Sequence, residues 1–394
     1  MDVVLISPVC PFNPHDGHTL AVLSDVNAVL DNGLTLGVIA FTYDDREILY
    51  SSACPSRLIR ARAGGGASRF LFGLLRGMAP SLERLYTPDA AVQIRDALIK
   101  WMPSVVIIDD ASVAGYVSLV REIVPNARVI LRSHNVMHDV RREQLAAASG
   151  PSRFAVQLDC QRYLAFERQA VENCDEHWSI TQADADRMVE LYGKPCRHLS
   201  VSLPLDRYTD LALASGQPNR FVHVGTIDFR RRSDLASFLR LTWPQILEAD
   251  GSATLTVAGK VYGETIPARN VEYLGRVNRD TDIYQEGRFA LNFQNSTGGL
   301  KLKTLTSMAA GRVLISTPHG VEGLPIVSGR HYWDMSALRS GSSLKSILSD
   351  NDSAKATAEA GREYVVTRHS RPAIARQFQT LLNHNVNAAS CAAS

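Results

Sequence analysis

The chain has 394 residues, of which 45% are hydrophobic and 21% are charged, and its formal net charge is +2. This composition is typical of a globular protein long enough for two domains, and it argues against a nucleic-acid partner, which would usually require far more positive charge. No apolar run reaches about 18 residues, so the sequence predicts no membrane-spanning helix.

The beginning of the chain and the cysteines indicate the compartment. The first residues form a strand-like run, DVVLISPV, without the basic segment that precedes the apolar core of a secretory signal. The six cysteines are scattered and contain no Cys-x-x-Cys pair, which favours reduced thiols over a disulfide framework or a zinc site. We therefore expect a cytoplasmic protein.

In the first half of the chain, short β-branched runs alternate with helical stretches. The predicted strands are Val3–Ile6, Leu36–Phe41, Val105–Ile108, Arg128–Leu131 and His177–Ile180, and the main predicted helices cover residues 19–30 and 151–174. Strands and helices that alternate at this spacing are typical of a parallel sheet covered by helices.

The second half repeats this pattern after a linker-like stretch between Ser202 and Pro218. Its predicted strands are Phe221–Val224, Thr254–Val257, Val271–Tyr273, Phe289–Phe293 and Val313–Ser316. About ten to twelve strands are better divided between two doubly wound sheets than placed in one. We therefore predict an α/β protein with a first domain over residues 1–205 and a second over 206–380, whose last helix is allowed to pack back on the first domain. Residues 381–394 are predicted to be a flexible tail.

Polar residues follow several predicted strands. Asp109 and Asp110 end VVIIDD, and His134 ends ARVILRSH. Since ligands of open parallel sheets bind beyond the carboxyl ends of the strands, we expect these residues to line a cleft between two facing domains. A histidine at a strand end is often only structural, but the densely polar turn that follows His134 argues modestly for a functional role.

The segment from Leu291 to Leu324 predicts an anion site. A strand runs into the turn Asn295–Gly299, and a helix with Lys301 and Lys303 in its first turn follows. Free backbone N–H groups, the helix dipole and closely approaching glycines suit a phosphate, here the diphosphate of a nucleotide. The alternative is an ordinary strand–helix unit with a glycine turn and solvated lysines.

A second basic group, Arg230–Arg232, follows the strand FVHVG. Guanidinium groups bind phosphate bidentately, so we expect at least one of the three arginines to clamp the diphosphate. The alternative is a solvated helix face.

Taken in order, several segments resemble the GT-B glycosyltransferases, most closely the retaining family four (glycosyl transferases group 1), which uses nucleotide sugars. The segments that carry the resemblance are PFNPHDGHTLAVLSDVNAVL, RSHNVMHDVRRE, HWSITQADADRM, VGTIDFRRRSDLASFL, LGRVNRDTDIY and GGLKLKTLTSMAAGRVLISTPHGVEGL. The resemblance covers nearly the whole chain. It implies two Rossmann-like domains that face a central cleft, with the acceptor bound by the first domain and the nucleotide sugar by the second.

The resemblance also implies a hexosyltransferase that acts with retention on a glycan, a lipid-linked acceptor or a small molecule. It implies no cofactor and no required metal. His134 would contact the donor sugar near the reacting carbon, and Arg231 and Lys303 would neutralise charge on the departing diphosphate. The implied donor-binding residues are Gly17, Gly225, Thr226, Arg230, Arg232, Arg276, Val277, Ser296, Thr297, Gly298, Gly299, Leu300, Lys301 and Thr306. The implied acceptor-binding residues are His15, Asp16, His18 and Asn135.

The chain departs from the family pattern at three positions, one of which is Thr226, where the family often has an arginine. The family usually carries two glutamates eight residues apart, where this chain has Gly298 and Thr306. Three interpretations remain: an unusual donor contacted by the polar turn at 295–297, carboxylates placed elsewhere such as Glu322, or a non-catalytic binding or partner protein. A sugar-nucleotide epimerase with the same architecture is a further alternative.

The stretch from Arg57 to Arg84 interleaves six arginines with leucines, isoleucine and phenylalanines. Such a basic amphipathic stretch predicts peripheral contact with an anionic membrane, at the inner face of the cytoplasmic membrane. The alternative is a helix that packs on the first domain and leaves its arginines in water.

Overall fold

The computed structural model describes residues 1–12, 16–42, 54–61, 79–150, 152–295, 300–336 and 348–391. The chain divides into two compact units. The first contains Met1–Ser202 and the C-terminal segment from Arg371, and the second contains Leu203–Thr297 and Lys301–Ser370.

Within the described residues, the first unit contains a parallel sheet of seven strands in the order β3-β2-β1-β4-β5-β6-β7. The strands are β1 (Val3–Ser7), β2 (Leu36–Thr42), β3 (Ser56–Arg60), β4 (Val105–Asp109), β5 (Arg128–Ser133), β6 (Glu176–Ser179) and β7 (Cys196–His198). The helices are α1 (Gly17–Asp31), α2 (Pro88–Trp101), α3 (Val117–Ile123), α4 (Met137–Ala147), α5 (Ser152–Asn173) and α6 (Gln182–Tyr192), with 3-10 turns at Glu83–Leu85 and Ala111–Tyr116. Hydrophobic side chains on both faces of the sheet are buried, which explains the near-continuous apolar runs of its central strands.

Local sequence fixes the start of α1, the helix that follows the first strand. The Asp16 carboxylate accepts the Thr19 backbone N–H at 2.9 Å, and the Thr19 hydroxyl accepts the Asp16 N–H at 3.2 Å. This reciprocal cap places Gly17 and His18 in the first turn, at the carboxyl end of β1.

The C-terminal helix α12 (Arg371–Cys391) completes the first unit by packing on α1. The ring of Phe378 meets the buried Trp178 edge-on, with 5.7 Å between centroids. Arg371 forms a bidentate ion pair with Asp31 at 2.5 and 2.7 Å. The helix extends through most of the segment from residue 381 onward for which the sequence predicts a flexible tail.

The second unit contains a parallel sheet of six strands, again within the described residues, in the order β10-β9-β8-β11-β12-β13. The strands are β8 (Gln217–Val224), β9 (Thr254–Ala258), β10 (Val271–Gly275), β11 (Gly287–Asn292), β12 (Val313–Ser316) and β13 (Trp333–Asp334). The helices are α7 (Phe229–Leu241), α8 (Trp243–Ala249), α9 (Asp280–Glu286), α10 (Leu302–Ala309) and α11 (Asn351–His369), with 3-10 turns at Leu205–Tyr208 and Pro318–Gly320.

A buried arginine ties the predicted linker to this sheet. The Arg312 guanidinium donates to the carbonyl oxygens of Ala212 and Ser215 in the linker and, at 3.3 Å, to that of Gly287 at the start of β11. Five donors on a rigid fork can satisfy several carbonyl groups together, which makes arginine suitable here.

The prediction of two doubly wound parallel sheets is confirmed. The sequence did not predict β3, β7 or β13. β3 lies in the basic stretch from Arg57 to Arg84, where it buries Ile59 and exposes Arg57 and Arg60. This part of the stretch is therefore an edge strand and not an amphipathic helix, and residues 62–78 lie outside the described residues.

None of the helices in the described part of the chain has the length and hydrophobicity needed to cross a membrane. The cysteines whose side chains are described, Cys10, Cys54, Cys160, Cys174 and Cys196, are free thiols.

Candidate functional site

In the first unit, the strand order brings two predicted strand-end residues together. β4 ends at Asp109 and the neighbouring β5 ends one residue before His134, and the His134 Nε2 lies 2.5 Å from the Asp109 Oδ1. The Ser7 hydroxyl, from the end of β1, donates to the Asp109 Oδ2 at 2.8 Å. Three adjacent strands therefore contribute to one buried polar cluster.

His18 approaches the same carboxylate from the first turn of α1. Its Nε2 lies 3.5 Å from the Asp109 Oδ2, and its ring centroid lies 4.6 Å from that of His134. Burial opposes protonation of His18, but the contact with Asp109 and the charges of Asp110 and Asp16 outweigh it and raise the His18 pKa to about 9. Burial likewise favours the neutral acid at Asp109, yet the two histidines hold the pKa of this carboxyl far below its usual range.

The second ring nitrogen of His134, Nδ1, is buried and has no hydrogen-bond partner among the described residues. Its side chain is only 5% exposed. An unpaired buried polar atom is unfavourable unless a ligand or water satisfies it, so His134 has an atom available for a bound substrate.

His18, Asp109 and His134 each offer one atom to a metal ion, and these atoms lie within 4.8 Å of one another. A metal-bound histidine usually donates its other ring N–H to a neighbouring acceptor, which His134 Nδ1 lacks among the described residues. The His134 Nε2 is instead already paired with Asp109. The cluster fits a hydrogen-bonded charge network better than a metal site, and the expected absence of a metal stays a prediction.

Backbone strain marks Asp110, which follows the cluster. Its φ is 74°, a region that non-glycine residues rarely adopt at a cost of about 1–3 kcal/mol. Its N–H donates to the Arg132 carbonyl at 2.7 Å, and its carboxylate accepts the Ser112 N–H at 2.8 Å. These bonds hold the strained turn in place and direct the chain away from the strand end.

A buried ion pair lies behind the cluster. Arg132, on β5, and Asp25, on α1, are fully buried, with 2.9 Å between Nε and Oδ2. The pair joins the helix that carries His18 to the strand that precedes His134.

The other first-unit residues that the resemblance implies lie near this cluster in the sequence, at the start of α1 and directly after β5. Asp16 and Gly17 are exposed at the start of α1, and Asn135 is half-buried directly after His134. His15 lies outside the described residues.

In the second unit, two glycines at strand ends allow a close approach of the chain. Gly225 follows β8 with a φ of 147°, and Gly259 follows β9 with a φ of 137°. A Cβ on Gly259 would overlap the Gly225 carbonyl, and a Cβ on Gly225 would overlap the side-chain stem of Lys303. The positive φ favours glycine at both positions, and the missing Cβ lets Lys303 lie directly against the backbone at Gly225.

The Lys303 ammonium lies at this glycine edge. Its Nζ donates to the Thr226 carbonyl at 3.3 Å and lies 3.4 Å from the Nε2 of His223. Burial and the charge of Arg231 lower the Lys303 pKa to about 7, while Asp228 and Asp234 act in the opposite direction. An anionic ligand would counteract the effects of both burial and Arg231 on the Lys303 ammonium.

The three predicted arginines lie in the first turn of α7 but differ in their contacts. Arg231 pairs with Asp228 at 3.2 Å, and Arg232 donates to the Glu264 carbonyl. The backbone of Arg230 is helical, and its side chain is not described.

The helix that follows the predicted anion turn begins at Leu302, with Lys301 as its buried N-cap residue and Leu300 just before it. Ser296, Thr297, Gly298 and Gly299 lie outside the described residues. Thr306 uses its hydroxyl within the fold, donating to the Lys303 carbonyl at 3.1 Å and lying 3.1 Å from the hydroxyl of the buried Tyr284.

The remaining predicted donor contacts follow β10. Arg276 is exposed and Val277 is half-buried. Their expected contact with the nucleotide base stays a prediction.

The sequence did not nominate two residues that the geometry brings forward. Asp109 was recognised as a strand-end residue, but its pairing with His134 depends on the spatial order of the strands. His223 lies inside the apolar strand FVHVG, where a lone histidine usually has a structural role. The signal that could have identified it is its position two residues before a glycine at a strand end.

Comparisons with known proteins agree with this architecture. Residues 218–360 match the model of a family described as "Glycosyl transferases group 1". No curated protein sequence matches the chain.

Several solved structures are similar over nearly their full lengths. A sucrose-phosphate synthase from Thermosynechococcus elongatus has a TM-score of 0.69 and 16% sequence identity, covering 98% of this chain and 100% of its own. Anabaena HepE in complex with UDP and glucose has a TM-score of 0.66 and 10% identity, covering 97% and 99%. A variant of S. aureus TarM in complex with fondaparinux, alpha-GlcNAc-glycerol and UDP has a TM-score of 0.66 and 9% identity, covering 97% and 100%. At these low identities the likeness establishes the fold.

The family match covers residues 218–360, and the chain has the two-domain GT-B fold. Residues 218–360 are therefore similar to the group 1 glycosyltransferases. The matched segment contains Gly225, Arg231 and Lys303, so the glycine edge lies in the part of the chain that is similar to this family.

Proposed function

We propose that this protein is a glycosyltransferase that binds the diphosphate of its nucleotide-sugar donor at the glycine edge and transfers the sugar, with retention, to a glycan, lipid-linked or small-molecule acceptor. The observation that carries the proposal is the position of Lys303 beside Gly225, with Arg231 near enough to lower its pKa. Two cations close enough to repel each other suit a dianionic ligand, although Asp228 and Asp234 lie nearby.

The chemistry of such a site is electrostatic. When the bond between sugar and diphosphate breaks, negative charge grows on the leaving oxygen, and preorganised cations stabilise that charge. Lys303 and Arg231 would do this without a metal ion, which agrees with the absence of a metal requirement implied by the resemblance.

The structural neighbours favour a uridine nucleotide as the first donor to test, because HepE and TarM were each crystallised with UDP. In the first unit, His134 lies beside a strand end and its Nδ1 has no hydrogen-bond partner in the described part of the chain. This supports the role that the resemblance implies for it, a contact with the transferred sugar.

A non-catalytic binding protein is the second candidate. The position at which the family carries its second glutamate is Thr306, and its hydroxyl already forms hydrogen bonds within the fold. A donor site with weaker ribose contacts would bind nucleotide without efficient turnover. The epimerase alternative has no comparable observation in its favour.

A thermal-shift screen over UDP-, GDP-, ADP- and dTDP-sugars, followed by an assay for free sugar and epimer, tests the proposal. We expect one nucleotide series to raise the melting temperature and one of its sugars to be slowly hydrolysed. Stabilisation without hydrolysis or transfer would favour the non-catalytic protein, and epimer formation without acceptor would favour an epimerase. If no nucleotide sugar stabilises the protein at millimolar concentration, the proposal fails.

We further propose a cytoplasmic protein that contacts anionic membrane through the stretch from Arg57 to Arg84. The exposed Arg57 and Arg60 on the edge strand β3 support it. Co-sedimentation with vesicles of anionic lipid should therefore occur at low salt and fall at high salt. Protein that stays in the supernatant at both salt concentrations would refute this contact.

A further inference from the structure

His223 is a buried histidine whose protonation state follows from its contacts. It lies on β8, is 2% exposed, and stacks on Phe293 with 4.3 Å between ring centroids. Its Nδ1 lies 2.8 Å from the Leu291 carbonyl oxygen, which can only accept, so Nδ1 carries the hydrogen. Burial holds the His223 pKa well below its usual value, and the ring is therefore neutral with a free lone pair on Nε2.

That lone pair faces the Lys303 ammonium. A lysine ammonium has three N–H donors. In Lys303 one donates to the Thr226 carbonyl at 3.3 Å and a second reaches His223 Nε2 at 3.4 Å, while the stem lies against Gly225. These contacts restrict the direction of the ammonium and, among the residues that the structure describes, leave one N–H for a ligand.

We propose that His223 is a positioning residue of the diphosphate site, which holds the Lys303 ammonium through its neutral Nε2 so that the remaining N–H serves the diphosphate. This inference rests on the proposed function of Lys303. His223 lies inside β8 and does not touch the donor. Its proposed role is exerted through Lys303.

The arrangement makes nucleotide binding sensitive to pH. The charged groups around Lys303 are Arg231, Asp228 and Asp234, and the neutral His223 faces it from β8. Since burial and Arg231 lower the Lys303 pKa to about 7, the ammonium loses its proton as pH rises through that value. Affinity for a nucleoside diphosphate should fall over the same range. Removal of the Nε2 acceptor should lower the Lys303 pKa further and move this fall to lower pH.

Two substitutions separate the lone pair from the packing of the ring. His223→Phe keeps an aromatic ring that can stack on Phe293 but removes the acceptor, whereas His223→Gln keeps an acceptor near the position of Nε2. We expect His223→Phe to weaken UDP binding about tenfold near neutral pH, the loss associated with one charge-assisted hydrogen bond, and His223→Gln to restore most of it. Calorimetric titration of the full chain with UDP across the pH range gives both the affinity and the midpoint of its pH dependence. GDP, ADP or dTDP replaces UDP if the thermal-shift screen selects it.

A second measurement works without nucleotide. NMR titration of ¹³C-labelled lysine, with the resonance assigned by its loss in Lys303→Gln, should show a lower Lys303 pKa in His223→Phe than in the wild type. In the Lys303→Gln background, His223→Phe should have no further effect on UDP affinity.

The outcomes are distinct. If His223→Phe retains the wild-type affinity, pH midpoint and Lys303 pKa, the inference is wrong. The inference is also wrong if both His223 variants weaken UDP binding equally without moving the midpoint of its pH dependence, because that pattern reflects packing alone. If the wild type binds none of the four nucleoside diphosphates, the proposed function fails, while the NMR titration still decides whether His223 controls Lys303.

Discussion

Asp109 is the residue on which the first unit's candidate site depends. It is fully buried, and it contacts His134 and His18 from two different elements while accepting a hydrogen bond from Ser7. A single carboxylate therefore sets the orientation of one histidine and the charge of the other. Substitution of the residues around Asp109 should therefore change catalysis without changing nucleotide binding to the same extent.

Replacing His134 by alanine should lower turnover about a hundredfold, because a positioned side chain at the reacting group typically contributes that much. Nucleotide affinity should change little, since the proposed diphosphate contacts belong to the second unit. Steady-state kinetics and UDP titration measure the two effects. His177→Gln is the matched control, because His177 is also a buried histidine of this sheet and its Nε2 lies 2.8 Å from the Ser133 hydroxyl. Unchanged turnover in His134→Ala would refute the placement of His134.

The raised pKa of His18 predicts a loss of stability at alkaline pH. A histidine whose pKa rises from 6.5 to about 9 on folding contributes fully below 6.5, and the contribution disappears as pH rises through about 9. For a side chain that is 31% exposed, we expect about 1–3 kcal/mol after solvent screening.

Denaturant unfolding of the wild type and of His18→Gln at several pH values tests this. The difference in unfolding free energy between the two proteins should shrink from neutral pH to about pH 10. A difference that stays constant over this range would show that His18 does not carry the expected charge.

At the scale of elements, the two glycines at the ends of β8 and β9 determine how closely Lys303 approaches the sheet. Alanine at Gly225 would meet the flexible stem of Lys303, which can move aside, so the damage should fall on binding. Alanine at Gly259 would meet the backbone of Gly225, which cannot move so easily, so the damage should fall on stability.

We therefore expect Gly225→Ala to weaken UDP binding about tenfold with about 1–2 kcal/mol of destabilisation, and Gly259→Ala to be the less stable of the two. Gly329→Ala is the control, because Gly329 also has a positive φ, 79°, but its Cβ would meet nothing within 4 Å. Calorimetric titration and thermal unfolding of the three variants measure both effects. Equal stability losses in all three would mean that crowding at the glycine edge is unimportant.

The elements that the sequence predicted and those it did not differ in a simple physical way. Central strands such as β1 and β4 are buried on both faces, so their apolar runs are unmistakable. β3, β7 and β13 lie at sheet edges, two of them are very short, and each contains charged or polar residues. Their strand character comes from pairing with a neighbour, which a local pattern does not reveal.

The residues of the candidate site can also be divided into those that the sequence reveals and those that it does not. Glycines, lysines and strand-end histidines could be located because each is conspicuous where it stands in the sequence. The contacts of Asp109 with His134, and of His223 with Lys303, join residues 25 and 80 positions apart. Such contacts depend on which strands and helices become neighbours, and the sequence pattern specifies that order only through a resemblance.

At the scale of the whole molecule, chain order and structural unit do not coincide. The last helix, α12, belongs to the first unit and fills part of its core with Ile374 and Phe378. In the sequence, the second unit lies between α12 and the rest of the first unit.

Replacing Phe378 by alanine should therefore destabilise the first unit by about 3–5 kcal/mol, as expected when a fully buried aromatic side chain is removed. Ile99→Ala is the control, because Ile99 is 56% exposed in the same unit and should change stability by less than about 0.5 kcal/mol. Chemical denaturation followed by tryptophan fluorescence, to which Trp178 beside Phe378 contributes, provides the measurement. A loss as small as that of Ile99→Ala would show that α12 does not support this core.

The position of α12 also has a consequence for biosynthesis. A ribosome synthesises residues 1–202 first, but the helix that covers Trp178 emerges only after the entire second unit has been translated. Domains generally fold as units while they are being made. In this protein the unit that is translated first therefore completes its core last, and the apolar surface that α12 covers stays exposed in the meantime. We expect the nascent chain to need a chaperone during that interval.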